Sequence, residues 1–169
     1  VCTITADAND CGNVSSYAVG GTYVALLSVN SASGVVSLTA DPDYETKSSY
    51  SFTVTATDAA GTSAATTVTF SITNVDEVVP TITSGTTGND LVENSGPGGT
   101  VYTITADAND GGTISSYAIG GDAADLLSVN AASGVVTLIA DPDHDTKSTY
   151  GFTVTATDAA GISTATTVI

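Results

Sequence analysis

One unit of sequence occurs twice in this chain, so whatever it folds into must be built twice. VCTITADAND at residues 1–10 returns as VYTITADAND at 101–110, and DPDYETKSSY at 41–50 returns as DPDHDTKSTY at 141–150. FTVTATDAAG at 52–61 returns unchanged at 152–161. The offset is constant at 100 residues, and 50 of the 69 comparable positions are identical. A gapless internal repeat of this kind makes each copy one structural unit. At 169 residues there is room for two, each of roughly 90 residues and able to bury one modest core.

Each copy reads as strands. Val and Thr are abundant, and the long-chain helix formers are scarce, with two Lys and no Arg or Met. Residues 1–6 alternate, with Cys2, Ile4 and Ala6 on one face. Tyr50, Phe52, Val54 and Ala56 share a face, with Ser51, Thr53, Thr55 and Thr57 on the other. Further strands are predicted near 14–19, 26–29, 35–40 and 63–73, with turn formers such as Asn9, Gly20-Gly21 and Ser33-Gly34 between them. Short strands at this spacing predict two tandem Greek-key β-sandwich domains, all-β, in an elongated arrangement. Residues 81–84 read as an opening strand of the second copy. The first copy, placed at residues 1–76, lacks that strand, and the second, at 77–169, stops within its last one. The chain is therefore expected to be a window on something longer, or a subunit that borrows a strand.

Charge excludes several partners. Eighteen acids face only Lys47 and Lys147, for a formal net charge of −16. Such a chain is repelled by nucleic acid and by anionic membrane surfaces, and no apolar run is long enough to insert in a bilayer. The acids are not scattered as a solubility coat would be. Apart from Asp90, Asp122 and Asp125 they fall in recurring clusters or in Asn74-Val75-Asp76-Glu77-Val78-Val79-Pro80, the joint between the copies. Cys2 and Cys11 replace Tyr102 and Gly111 of the other copy, and a disulfide between them would add about 2–3 kcal/mol in an oxidising compartment.

Clustered carboxylates without bases fit either paired acid–base catalysis or a hard cation. A glycosidase would use two of them in a cleft shaped for sugar, a site usually lined with aromatics, and this chain has no Trp. Nucleophile elbows, zinc-protease helices and phosphate loops are absent from the sequence. No enzymatic activity is expected. Calcium suits the set better, because it takes about 6–8 oxygens from carboxylates, amides, backbone and water. No EF-hand spacing is present, so the ligands have to converge from separate loops.

The ordered motifs resemble the cadherin repeat, and in particular the bacterial cadherin-like tandem repeats of large surface adhesins. Glu93-Asn94 resembles the family's opening acidic turn, Asp107-Ala108-Asn109 its Asp-x-Asp motif, and Asp43-Tyr44-Glu45 its Asp-Arg-Glu motif. Ala56-Thr57-Asp58 resembles its Ala-x-Asp strand end, and residues 74–80 stand where the family has its linker. The resemblance implies calcium at the joint, held by Asp43, Glu45, Asn74, Asp76, Glu77, Asp107, Asn109 and Asp158. It implies two further half-sites, Asp7, Asn9 and Asp58 in one and Glu93, Asp143 and Asp145 in the other.

The function expected from this is a calcium-rigidified structural repeat of an extracellular, cell-surface adhesin stalk or fibre. Its partners would be neighbouring copies of the same repeat, or another cell-surface protein or glycan. Two other readings stand beside it: a homopolymeric filament completed by strand exchange, and a carbohydrate- or protein-binding module.

Overall fold

The computed structural model describes residues 2–9 and 12–169. Cys11, and with it the expected pairing to Cys2, lies outside the described residues. The chain divides into two compact units, Val1–Asn74 and Val75–Ile169.

In the first unit, β1 (Cys2–Thr3), β4 (Val35–Leu38) and β3 (Leu27–Val29) form one antiparallel sheet, in the order β1-β4-β3. A second sheet has the order β2-β5-β6, from Ser16–Gly20, Ser49–Thr57 and Thr66–Ser71. Residues of both sheets meet in one core. Ile4, Leu27 and Val36 pack with Phe52 and Val54, and Val68 and Phe70 close over them. That is a β-sandwich, and the strict alternation of β5 explains it: every second residue is apolar and faces the other sheet.

The second unit repeats the plan. β8 (Thr100–Thr103), β12 (Val135–Leu138) and β11 (Leu127–Val129) face β10 (Ser116–Gly120), β13 (Phe152–Thr157) and β14 (Thr166–Val168). Val136, Val154 and Val168 are wholly buried between the sheets. In addition, β7 (Thr81–Ile82) pairs with β9 (Ala106–Asp107), Thr81 opposite Asp107 and Ile82 opposite Ala106. The hairpin between β11 and β12 closes on Asn130, whose side-chain oxygen accepts the N–H groups of Ala132 and Ser133. Gly134 follows at φ 73°, with its Cα packed against the Ile104 carbonyl, so glycine is required there for both reasons.

Two local expectations change. The strand expected over residues 1–6 is short: β1 ends at Thr3, and Ala6 is exposed rather than inward. In the second unit the matching stretch splits, because β8 pairs with β12 while β9 turns to β7. Leu26, expected in a strand, instead ends a single 3-10 turn over Val24–Leu26, and the same turn recurs at Ala124–Leu126.

Candidate functional site

The opening segment of the second unit, residues 75–80, lies against that unit's own loops. Asn109 stands at φ 63°, a left-handed conformation that Asn tolerates, and its backbone N–H bonds the Asp107 carboxylate at 2.8 Å. The turn aims the Asn109 amide at the segment, where Nδ2 donates to the Val79 carbonyl at 2.7 Å and to Thr81 Oγ1 at 3.3 Å. Next to it, Asp110 Oδ2 accepts the backbone N–H groups of Glu77 and Val78, each at 3.1 Å. Asp76 reaches the far loop, where its Oδ2 accepts the Ala159 N–H at 3.2 Å. Asp158, at the end of β13, turns back on its own loop and accepts the Gly161 N–H at 3.0 Å through Oδ1.

These contacts leave charge uncompensated. Asp158 is 6% exposed. Its Oδ2, and Oδ1 of Asp76, are buried with no hydrogen-bond partner. A buried polar atom without a partner costs about 1–3 kcal/mol, and more when it carries charge. The Asp76 carboxyl is pushed up from the ordinary range by burial and then by the negative charges of Asp158 and Asp110. Asp110 is held below that range, chiefly by the Glu77 N–H. Gly112 provides the room for this arrangement: a Cβ there would lie 2.6 Å from the Asp76 Cγ.

Chemically, the cluster offers hard oxygen donors and repelling negative charge, which fits a hard cation rather than a thiophilic metal. Among the described residues, however, no three or more His, Cys, Asp or Glu side chains stand in an arrangement that by itself could hold a metal ion. The carboxylates are near enough to raise Asp76, and they are turned onto backbone donors rather than onto one point.

The remaining expected residues fall into separate places. Glu77 is exposed, and in the first unit Glu45 is exposed while Asn74 is half-buried at the unit's end. Asp43 is engaged by Thr46, whose N–H reaches Oδ1 at 3.0 Å and whose hydroxyl reaches Oδ2 at 2.9 Å, lowering the Asp43 pKa. Asp7, Asn9 and Asp58 line one open cleft of the first unit. Asp58, unlike its counterpart Asp158, is only half-buried, and its Oδ1 accepts the N–H groups of Ala60 and Gly61. Glu93 and Asp143 share a cleft of about 530 Å³ in the second unit, with His144 and Lys147 on its wall. Asp145 donates its N–H to Asp143 Oδ1. Asp141 accepts the Gly96 N–H and serves that turn. Asp110 was not among the expected site residues. Its signal was its place in Asp-Ala-Asn-Asp, which recurs at residues 7–10.

Residues 2–73 match the putative Ig domain family. The two-unit chain superposes on chicken VE-cadherin EC1-2 with a TM-score of 0.70, over 99% of this chain and 87% of that one, at 23% identity. Mouse cadherin-23 EC22-24 gives 0.65 over 90% of this chain and 50% of that one, also at 23% identity. The fold is cadherin-like. In sequence, the chain is 30% identical to mouse protocadherin Fat 4 over 150 residues, which is 86% of this chain and 3% of that protein. The chain thus spans a small fraction of the curated relatives it matches. Within the cadherin-like fold, no helix of the described residues is long and apolar enough to cross a membrane.

Proposed function

We propose that the chain is a pair of calcium-rigidified structural repeats from an extracellular adhesin stalk or surface fibre. The observation that carries this reading is the pair of buried, unpartnered carboxylate oxygens, Asp76 Oδ1 and Asp158 Oδ2, to which no cationic side chain among the described residues is bonded. Natural proteins rarely leave such atoms unsatisfied without a reason. Hard oxygen donors and the cadherin-like fold both support calcium as that reason.

In this reading Asp76 and Asp158 are the central ligands, with Asp107 and the Asn109 side-chain oxygen beside them. Asp43, Glu45, Asn74 and Glu77 are proposed to complete the coordination, and this part rests on the sequence alone. The Asp7, Asn9, Asp58 cleft and the Glu93, Asp143, Asp145 group would serve further ions in the same way. Bound calcium supplies the positive charge that the cluster lacks. The residues do the rest: Asp158 holds its place through Gly161, and Asp76 through Ala159. Neutralising their repulsion converts binding energy into stiffness of the segment that carries them. Extracellular placement is part of this proposal and is supported by the cadherin-like fold, which a protocadherin gammaB4 extracellular domain shares.

The test is a calorimetric titration of the chelator-treated protein with calcium chloride. Saturable heat that disappears in Asp158→Asn supports the proposal. A wild-type chain that takes up no calcium at millimolar concentration refutes it.

A further inference from the structure

The hydrogen bonds around residues 76–81 divide labour between neighbouring side chains in a way that the calcium reading alone does not require. Asp110 spends one oxygen on two consecutive backbone N–H groups, those of Glu77 and Val78. Asn109 spends its amide nitrogen on the Val79 carbonyl and Thr81 Oγ1. Residues 77, 78, 79 and 81 are therefore all engaged by two adjacent side chains of one turn. Asn109 also holds that turn, through its left-handed backbone and its N–H to Asp107. The donors in these bonds are three backbone N–H groups and one side-chain amide, and the acceptors are carboxylate, carbonyl and hydroxyl oxygens.

We propose that Asn109 and Asp110 form a metal-free latch that fixes the segment 76–81 on the second unit and so presets the Asp76 carboxylate before any ion arrives. The latch makes Asp110 a positioning residue: its Oδ2 is used on two backbone donors, as a capping carboxylate's would be, while its carboxyl also faces that of Asp76. Asp76 lies one residue before the latched pair. Its carboxylate is confined between the Ala159 N–H on one side and the Cα of Gly112 on the other. The Asp110 turn and the Asp76 seat are thus joined through Gly112, two residues beyond Asp110 in the chain. In its second half this proposal rests on the calcium reading. A ligand held in place beforehand loses less conformational entropy on binding, so the latch raises apparent affinity without touching the ion.

The test separates the two halves. Amide hydrogen exchange is followed by NMR in chelator, at Glu77, Val78 and, as an internal control for the fold, Val154 in β13. In the wild type, Glu77 and Val78 exchange at least tenfold more slowly than unstructured peptide. Asp110→Ala abolishes that protection, Asp110→Asn, which keeps an acceptor oxygen, retains part of it, and Val154 is unchanged in both. Should Asp110→Ala also expose Val154, Asp110→Asn is read in its place, and it must weaken protection at Glu77 and Val78. Calorimetry then gives a calcium affinity for Asp110→Ala about tenfold weaker but with unchanged stoichiometry, whereas Gly112→Ala, which intrudes on the Asp76 seat and leaves the latch residues alone, lowers the stoichiometry. Unprotected Glu77 and Val78 in the chelated wild type, or protection indifferent to Asp110, would overturn the latch. A lower calcium stoichiometry in Asp110→Ala would overturn its assignment as a positioning residue. A wild type that keeps the exchange pattern but binds no calcium would leave the latch standing and remove the calcium reading instead.

Discussion

Asp76 and Asp110 are the same kind of side chain, shifted in opposite directions. Asp110 accepts two N–H groups and is held below the ordinary carboxylate range, while Asp76 is desolvated beside Asp158 and pushed above it. The sign for stability follows. A raised carboxyl favours the fold while protonated, below the ordinary value near 3.8, and loses that contribution as pH rises through its folded value. Ionisation of Asp76 therefore opposes folding in the absence of metal. Asp76→Asn is expected to raise the melting temperature of the chelated protein at pH 7, and the gain should shrink toward pH 3, in a calorimetric scan across pH. Asp110, Asp43 and Asp143 have the other sign: their contribution is present above the ordinary value and is lost as pH falls through their lowered folded values. Thr146 supplies the largest part for Asp143, through its hydroxyl at 2.7 Å and its N–H at 3.2 Å. Thr146→Ala should bring the Asp143 pKa back toward the ordinary range in a carbon-detected NMR titration.

At the scale of elements, β5 and β13 are the strands the sequence describes best. Phe152, Val154 and Ala156 are buried, with Thr between them, as the alternation at 152–157 predicts. Phe152 packs edge-on to Tyr102 across the two sheets at 5.9 Å. Its loss removes a core side chain and leaves a void, so Phe152→Ala is expected to cost about 3–5 kcal/mol in urea unfolding. Other features were not legible because they depend on distant partners. Alternation at residues 1–6 cannot say that the matching stretch at 101–107 changes sheets, since that is decided by β7 meeting β9. The 3-10 turns are too short for a periodic signal. The recurring strand end picks out Asp158, which the fold buries. Asp110 bonds backbone donors 33 and 32 residues earlier in the chain, and Asp-Ala-Asn-Asp by itself does not name those partners.

For the whole molecule, the repeat accounts for two sandwiches. Residues 52–61 and 152–161 are identical, yet Asp158 is buried and Asp58 only half-buried. The second unit has the segment 75–80 lying on that end, with Ala159 bonded to Asp76 and Val79 close to Gly161. Residues 75–80 thus cover the acidic loop at 158–161 within the second unit. If calcium fills that site, ligand linkage stabilises the fold by about 2.7 kcal/mol at one hundred times Kd. Calcium is proposed to stiffen the chain, and small-angle X-ray scattering of the wild type in chelator and in calcium measures that stiffening. A broad distribution of interatomic distances in chelator is expected to narrow when calcium is added, with no narrowing in Asp158→Asn. Superimposable wild-type curves in the two conditions would contradict it.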